Sequence, residues 1–392
     1  MLKTLLFAVC NTVLAASCAM AAITSSGDVF PDPATIGTFD DLTIGATGSG
    51  SVTVDGASTL VHRDTIFGEA ASASGFLEVV GAGSVWDPAY VRLGFEGTGE
   101  LQVRDGGVVE ANGMEVGSQP GGHGTVLVTG AGSILRGSAM WVGDDGVGEV
   151  LVENGGQIDN FFQTNIGYDP GGVGTAIVDG AGSRWDSGSD LIVALDGDGE
   201  LTVRNGAVIT SSGGSIGFYF DTTGIVTIDG AGSTWTNDRG LFVGGAGHGT
   251  LNVLAGATVT SRYGIVGDGV GEELVDTVLV DGTGSVWTMT EELTVGDGSA
   301  GRLVIRNGGA VVVGESVLIN AAGVGGAVEL DNGVLTAASV LTRPADLLGT
   351  GTVHTNGWLF TGNHSFDSVA ELPTMLTLDD EPGQNVAAHL DW

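Results

Sequence analysis

Gly174-Thr175-Ala176-Ile177-Val178-Asp179-Gly180-Ala181-Gly182-Ser183-Arg184-Trp185 returns fifty residues later as Gly224-Ile225-Val226-Thr227-Ile228-Asp229-Gly230-Ala231-Gly232-Ser233-Thr234-Trp235. Working outward, the same ending recurs at Ala82-Gly83-Ser84-Val85-Trp86, Ala131-Gly132-Ser133-Ile134-Leu135 and Thr283-Gly284-Ser285-Val286-Trp287, with last residues 49 to 52 apart. Between these lies a second class: Leu101 to Gly106, Leu151 to Gly155, Leu201 to Gly206 and Leu303 to Gly308. A third marker, apolar-x-apolar-Gly, closes at Gly45, Gly68, Gly94, Gly117, Gly143, Gly167, Gly217, Gly244, Gly267 and Gly296, with Ala194 and Asn320 in the same place. Successive markers stand 23 to 29 residues apart, a short coil and a long coil in alternation, about twelve times. Such a period is the mark of a repeat architecture.

Within a coil the apolar positions alternate, as at Val126 and Val128, Leu201 and Val203, Val226 and Ile228, and Leu251 and Val253. Period two means strands. Asp-Gly and Asn-Gly pairs such as Asp179-Gly180, Asn154-Gly155 and Asn205-Gly206 bound them and mark turns. No stretch keeps apolar residues at helical spacing over three turns. Propeller blades share a period near fifty, but a blade has no regular half-repeat. The expectation is an all-β fold, a single-stranded, right-handed parallel β-helix (solenoid). Coils stacked at ~4.8 Å give a rod roughly 55–60 Å long.

Inward Val, Ile and Leu form ladders in such a stack, burying apolar area at ~25 cal/mol per Å². Trp86, Trp185, Trp235 and Trp287 recur every second coil. They read as anchors plugging a corner of the long coil, with Leu135 as a smaller substitute; the functional alternative is an exposed aromatic ladder for sugars. Solenoid ends need caps. Residues 23–39, with Pro31 and Pro33, suit the first, residues 40–340 form the β-helix domain, and residues 341–392 serve as a non-repeating cap or the start of a truncated further segment.

Composition narrows the function classes. Gly makes up 71 of 392 residues, without a collagen triplet, and 42% of the chain is apolar, enough for a core. A net charge of -35, with no lysine after Lys3, excludes a nucleic-acid partner. Residues 1–22 have the layout of a secretory signal peptide: Lys3, the apolar run Leu5 to Ala16, and an Ala-x-Ala site at Ala19-Met20-Ala21. That run is too short to span a bilayer. Both cysteines, Cys10 and Cys18, lie in this segment, so the mature chain is expected to be cysteine-free and exported without disulfides. The expected location is secreted or on the outer cell surface.

The pattern Gly-x-Gly-x-Leu-x-Val-x-Asn-Gly-Gly, followed by Gly-Thr-x-x-Val-Asp-Gly-Ala-Gly-Ser-x-Trp, resembles the repeat of type V secretion (T5SS, autotransporter) passengers and PEP-CTERM-associated exported β-helix proteins. The resemblance covers residues 40–340 and is carried most fully by Gly174 to Trp185 and Gly224 to Trp235. It implies an exported, repetitive β-helical protein of Gram-negative-type bacteria displayed at or released from the surface. The chain departs from that family at its C-terminus, with neither a translocator barrel nor a Pro-Glu-Pro motif. Its end, Val386, Ala388, Leu390 and Trp392, alternates like a last barrel strand.

Catalytic groups are singular, whereas the chemistry-bearing residues here are periodic. His62, His123, His248, His354, His364 and His389 are scattered, and Arg104, Arg204 and Arg306 share one repeat position. No nucleophile elbow or phosphate loop is present. No catalytic, cofactor-binding or metal residues are assigned. The acidic turns at Asp144-Asp145-Gly146, Asp196-Gly197-Asp198-Gly199, Asp268-Gly269 and Asp297-Gly298 suit Ca²⁺, the alternative being plain Asp-Gly turn chemistry with charge that keeps the rod soluble. The expectation is a non-enzymatic surface scaffold for adhesion or contact with extracellular polysaccharide or matrix. The alternatives are a carbohydrate-active β-helix enzyme of polysaccharide lyase or glycosidase type, or a glycan-binding module.

Overall fold

The computed structural model describes residues 22–269, 275–360 and 376–378. They form a parallel β-solenoid of about twelve turns, built of strands, turns and one 3-10 turn at Pro344–Asp346. Each coil has three faces. Face A is a seven-residue strand such as His123–Thr129. Faces B and C come from one bent strand in early coils, as in Ile134–Val142. Later coils split it, as in Thr234–Asn237 and Gly240–Val243.

Register explains why period two is so legible. Leu101, Val126, Val150, Ala176, Leu201, Val226 and Leu251 stack in one file across seven coils without a slip. All are at most 3% exposed. A one-residue shift in any coil would turn its apolar set to solvent, so the ladder is held strongly.

The short–long alternation resides in two turns. The turn from face C to face A runs over residues 143–146 in one coil and 167–172 in the next. That from A to B alternates between residues 154–156 and 180–183. Both longer turns flank the same face-A strand, so the length variation is absorbed at the corners and never enters the ladder. At the C-to-A corner Gly143 takes φ +67, and a Cβ there would lie 2.3 Å from the Val173 backbone. Ala194 and Asn320 hold the same left-handed geometry at φ 64 and 53.

The Gly-Ala-Gly-Ser turn pins coils together. Ser84, Ser133, Ser183, Ser233 and Ser285 are fully buried. Their hydroxyls accept hydrogen bonds of 2.9–3.2 Å from the amides of Ala57, Gly106, Gly155, Gly206 and Gly256 in the preceding coil.

The four tryptophans are core, at 0–2% exposure. They share an inward file with smaller residues, running Trp185, Ile209, Trp235, Val259, Trp287. Space is made by glycines on face C: a Cβ on Gly214 or Gly264 would lie 2.6 Å from a ring carbon of Trp235 or Trp287. The indole N–H groups of Trp86, Trp235 and Trp287 donate to His62, Ser211 and Ser261 at 2.9, 3.0 and 3.2 Å. This burial removes the exposed tryptophan row that a sugar ladder at these four positions requires.

At the start, Ala22–Gly27 pairs antiparallel with Ser49–Asp55, and Val29–Phe30 with Leu42–Ile44, closing the first coil's edge. Parallel pairing continues past residue 340: Leu347–Thr355 stacks on Gly326–Thr342, and Leu376–Leu378 stacks in turn on Leu347–Thr355. The leader-like segment through Ala21, Cys10, Cys18, His364, His389 and the alternating end at residues 386–392 lie outside the described residues.

Candidate functional site

Face C presents three outward files. The first holds Tyr90, Gly113 and Ala139, and farther along Gly240 and Tyr263. The second runs through Arg92, Glu115, Trp141, Asn165, Ile192, Ser215, Phe242 and Ile265. The third follows the corner glycine: Ser118, Asp144, Tyr168, Leu195, Phe218, Gly245 and Asp268, each amide bonded to a carbonyl of the preceding coil.

These files bring together six aromatic rings that are far apart in sequence. Trp141 packs between Tyr90 and Tyr168, with centroids 6.4 and 6.0 Å away. Farther along, Phe218 meets Tyr219 at 4.8 Å, and Phe242 meets Tyr263 edge-on at 5.7 Å. Glycines in the first file let the tyrosines lie flat: a Cβ on Gly113 or Gly240 would come within 2.4 Å of the Tyr90 or Tyr263 ring. From Tyr90 to Tyr263 is seven coil steps, an aromatic lane of roughly 34 Å along the rod.

A carboxyl cluster stands at the lane's first end. The Tyr90 hydroxyl donates to Glu115 Oε1 at 2.6 Å, and Ser118 donates to Oε2. Arg92 lies 3.5 Å from Glu115, and its guanidinium carbon sits 4.8 Å from the centre of the Tyr90 ring. Burial and this hydrogen bond push the Tyr90 hydroxyl pKa up. Asp144 is pushed up to about 7, first by burial, then by the negative charges of Glu115, Asp169 and Asp145. A carboxyl raised toward neutrality beside a second acidic side chain is the pairing that acid–base chemistry uses. Glu115 is already held by three groups, however, and neither acid lines the groove described next.

That groove, about 290 Å³, crosses four coils toward the lane's far end. Gly213, Gly214, Ser215 and Gly240 form its floor, and Phe218, Phe242 and Tyr263 stand around it. Asp190, Arg239 and Asp268 supply its charges. Asp268 is pushed up by burial and by Asp297. Aromatic faces with a few convergent polar groups are the usual make-up of a small-molecule or sugar-unit site.

The periodic residues fall where the repeat implies. Arg104, Arg204 and Arg306 end face-A strands and pair with Glu78, Asp179 and Asp281 of the preceding coil. His62 is buried, accepts from Trp86, and has its pKa lowered to about 4 by burial. His123 and His248 open face-A strands, and His354 lies within Leu347–Thr355. The acidic turns gather at the corner between faces C and A, with Asp268 and Asp297 stacked on successive coils. Among the described residues, no group of three or more His, Cys, Asp or Glu is placed to hold a metal ion.

The aromatic lane is absent from the sequence reading above, although a signal for it exists. Trp141 and Phe242 are the variable middle residue of the apolar-x-apolar-Gly marker, and Tyr168 and Phe218 immediately follow its glycine. Reading those two columns down the repeat exposes four of the six rings, while Tyr90 and Tyr263 lie two residues before the middle column. No described helix is long and apolar enough to cross a membrane, which says nothing of β-barrels. Comparison with known proteins finds no matching family model, no matching curated protein and no matching solved structure.

Proposed function

We propose that this chain is a non-enzymatic, exported β-solenoid, secreted or held at the outer cell surface, that contacts extracellular polysaccharide or matrix through face C. The carrying observation is the aromatic lane: Tyr90, Trp141, Tyr168, Phe218, Phe242 and Tyr263 share one face of a rigid rod. These half-buried rings, with Phe218 more exposed, present apolar faces, and the Tyr hydroxyls and Trp indole N–H add a polar handle, which suits the alternating apolar and hydroxylated surfaces of a sugar chain. A rod that spaces such rings along its axis matches an extended polymer better than a small diffusible molecule. The leader-like residues 1–22 and the resemblance to exported passenger repeats support the extracellular setting.

Co-sedimentation of the chain with insoluble polysaccharides tests this reading. The combined variant Trp141→Ser, Phe242→Ser, Tyr263→Ser is expected to lower the bound fraction about tenfold while the far-ultraviolet spectrum stays that of the parent. Unchanged binding by the variant sinks the assignment to face C. New reducing ends during incubation would favour the carbohydrate-active enzyme reading, with Asp144 and Glu115 as its acid and carboxylate.

A further inference from the structure

The groove on face C contains an anomaly of charge. The chain has 12 Lys+Arg against 47 Asp+Glu, the single lysine being Lys3. Every other arginine makes an ion pair with a carboxylate: Arg63, Arg92, Arg104, Arg136, Arg184, Arg204, Arg262, Arg302, Arg306 and Arg343. Arg239 alone, among the described residues, makes none, although it is surrounded by excess acid. It lines the groove, and its amide is bonded to the Ser212 carbonyl at 2.7 Å, which sets where the side chain starts.

An unpaired guanidinium offers five donors in a planar fork that fits a carboxylate bidentately. The other charged groups in the groove, Asp190 and Asp268, offer acceptors when ionised, and so call for hydroxyl donors on the ligand. Phe218, Phe242 and Tyr263 call for a ring with an apolar face. One ligand meets all three demands: a sugar ring carrying both hydroxyls and a carboxylate. A polyphosphate has the anion without the hydroxyl donors or the apolar ring face.

We propose that the groove binds one acidic hexose unit of the uronic-acid type within a polysaccharide. Its carboxylate is forked on Arg239, its ring lies against Phe242 and Tyr263, and its hydroxyls donate to Asp190 and Asp268. This deepens the face-C reading and rests on it. Specificity comes from Arg239, because the aromatic rings accept neutral sugars as well.

Calorimetric titration of the full chain with trigalacturonic acid and with its carboxyl-reduced, neutral counterpart tests the proposal. The acid is expected to bind more tightly than the neutral trimer. Arg239→Gln is expected to weaken the acid about tenfold or more and to leave the neutral trimer within twofold. Arg239 is exposed and unpaired, so the variant should keep the parent's melting temperature. Equal affinity of both trimers for the parent, or no effect of Arg239→Gln, overturns the acidic-unit assignment. The face-C reading is then judged separately by the sedimentation of the aromatic triple variant. If neither trimer binds while the insoluble polymer still sediments the chain, the groove is not the contact and this inference fails alone.

Discussion

The hydroxyl of Ser233 accepts the Gly206 amide of the preceding coil at 2.9 Å and donates to the Asp229 carbonyl at 2.6 Å. One buried side chain therefore ties a three-residue corner to the four-residue corner stacked on it, which is why the motif recurs at fifty residues although the coils recur at half that. Replacement of Ser233 by Ala leaves the Gly206 N–H and the Asp229 carbonyl without that partner in a dry corner. The expected cost is about 1–3 kcal/mol, read as a fall in denaturation midpoint. Ser84→Ala should behave alike, since its hydroxyl holds the Ala57 amide. A neutral result at both sites would show that the pins are dispensable.

Trp235 and Gly214 test the packing. A Cβ on Gly214 meets the Trp235 ring at 2.6 Å, so Gly214→Val should destabilise by about 1–3 kcal/mol through overpacking. Trp235→Ala should cost about 3–5 kcal/mol through the cavity it leaves. In the double variant Trp235→Ala, Gly214→Val the two changes should compensate in part, giving a coupling energy of about 1 kcal/mol or more in a thermal or chemical double-mutant cycle. Strict additivity would refute the contact.

Asp276 occupies a position held by Gly249 and Gly301 in the adjacent coils. It is 2% exposed, accepts the Gly249 amide at 2.8 Å and the Ser299 hydroxyl at 3.2 Å, and lies 3.6 Å from His248 Nδ1. Burial pushes its pKa up to about 6. The folded chain then holds a proton that the unfolded chain, titrating near 3.9, has released. Stability contributed by this group is thus full below about pH 4, falls as pH rises to about 6, and is flat above, a swing on the order of 2–3 kcal/mol. Subtracting the pH profile of Asp276→Asn from that of the parent should isolate this slope. Parallel profiles would contradict it.

Asp144 should titrate near neutrality, because burial and the Glu115 charge both disfavour its anion. Carbon NMR of the labelled carboxyl is expected to show a midpoint of about 7. In Glu115→Gln that midpoint should move down, since one like charge is gone. A midpoint in the ordinary carboxylate range for the parent would remove the acid–base pair from face C.

Much of the fold is legible in residues such as Val126, Val128 and Gly143, because the constraints on them are local and repeat from coil to coil. Inward positions must be apolar every second residue, and a left-handed corner favours Gly, so the period writes itself into the chain. Asp276 shows the limit of that legibility. Its place in Val275-Asp276-Thr277, where other coils have Val-Gly-Thr or His-Gly-Thr, is visible as a break, but its burial and its contact with His248 depend on the coils on either side.

The sequence by itself determined the all-β solenoid, its coil count, the inward ladders and the anchoring role of the recurrent Trp residues, since each follows from a period acting within one or two coils. Only the tertiary structure decided that Tyr90, Trp141, Tyr168, Phe218, Phe242 and Tyr263 form one lane, and that Arg239 stands unpaired in a groove between Asp190 and Asp268. Those relations join outward positions on face C, where the core does not dictate residue type, so the repeat columns are filled by aromatics only irregularly. They become neighbours only when stacked coils align residues some twenty-five positions apart at about 4.8 Å per step.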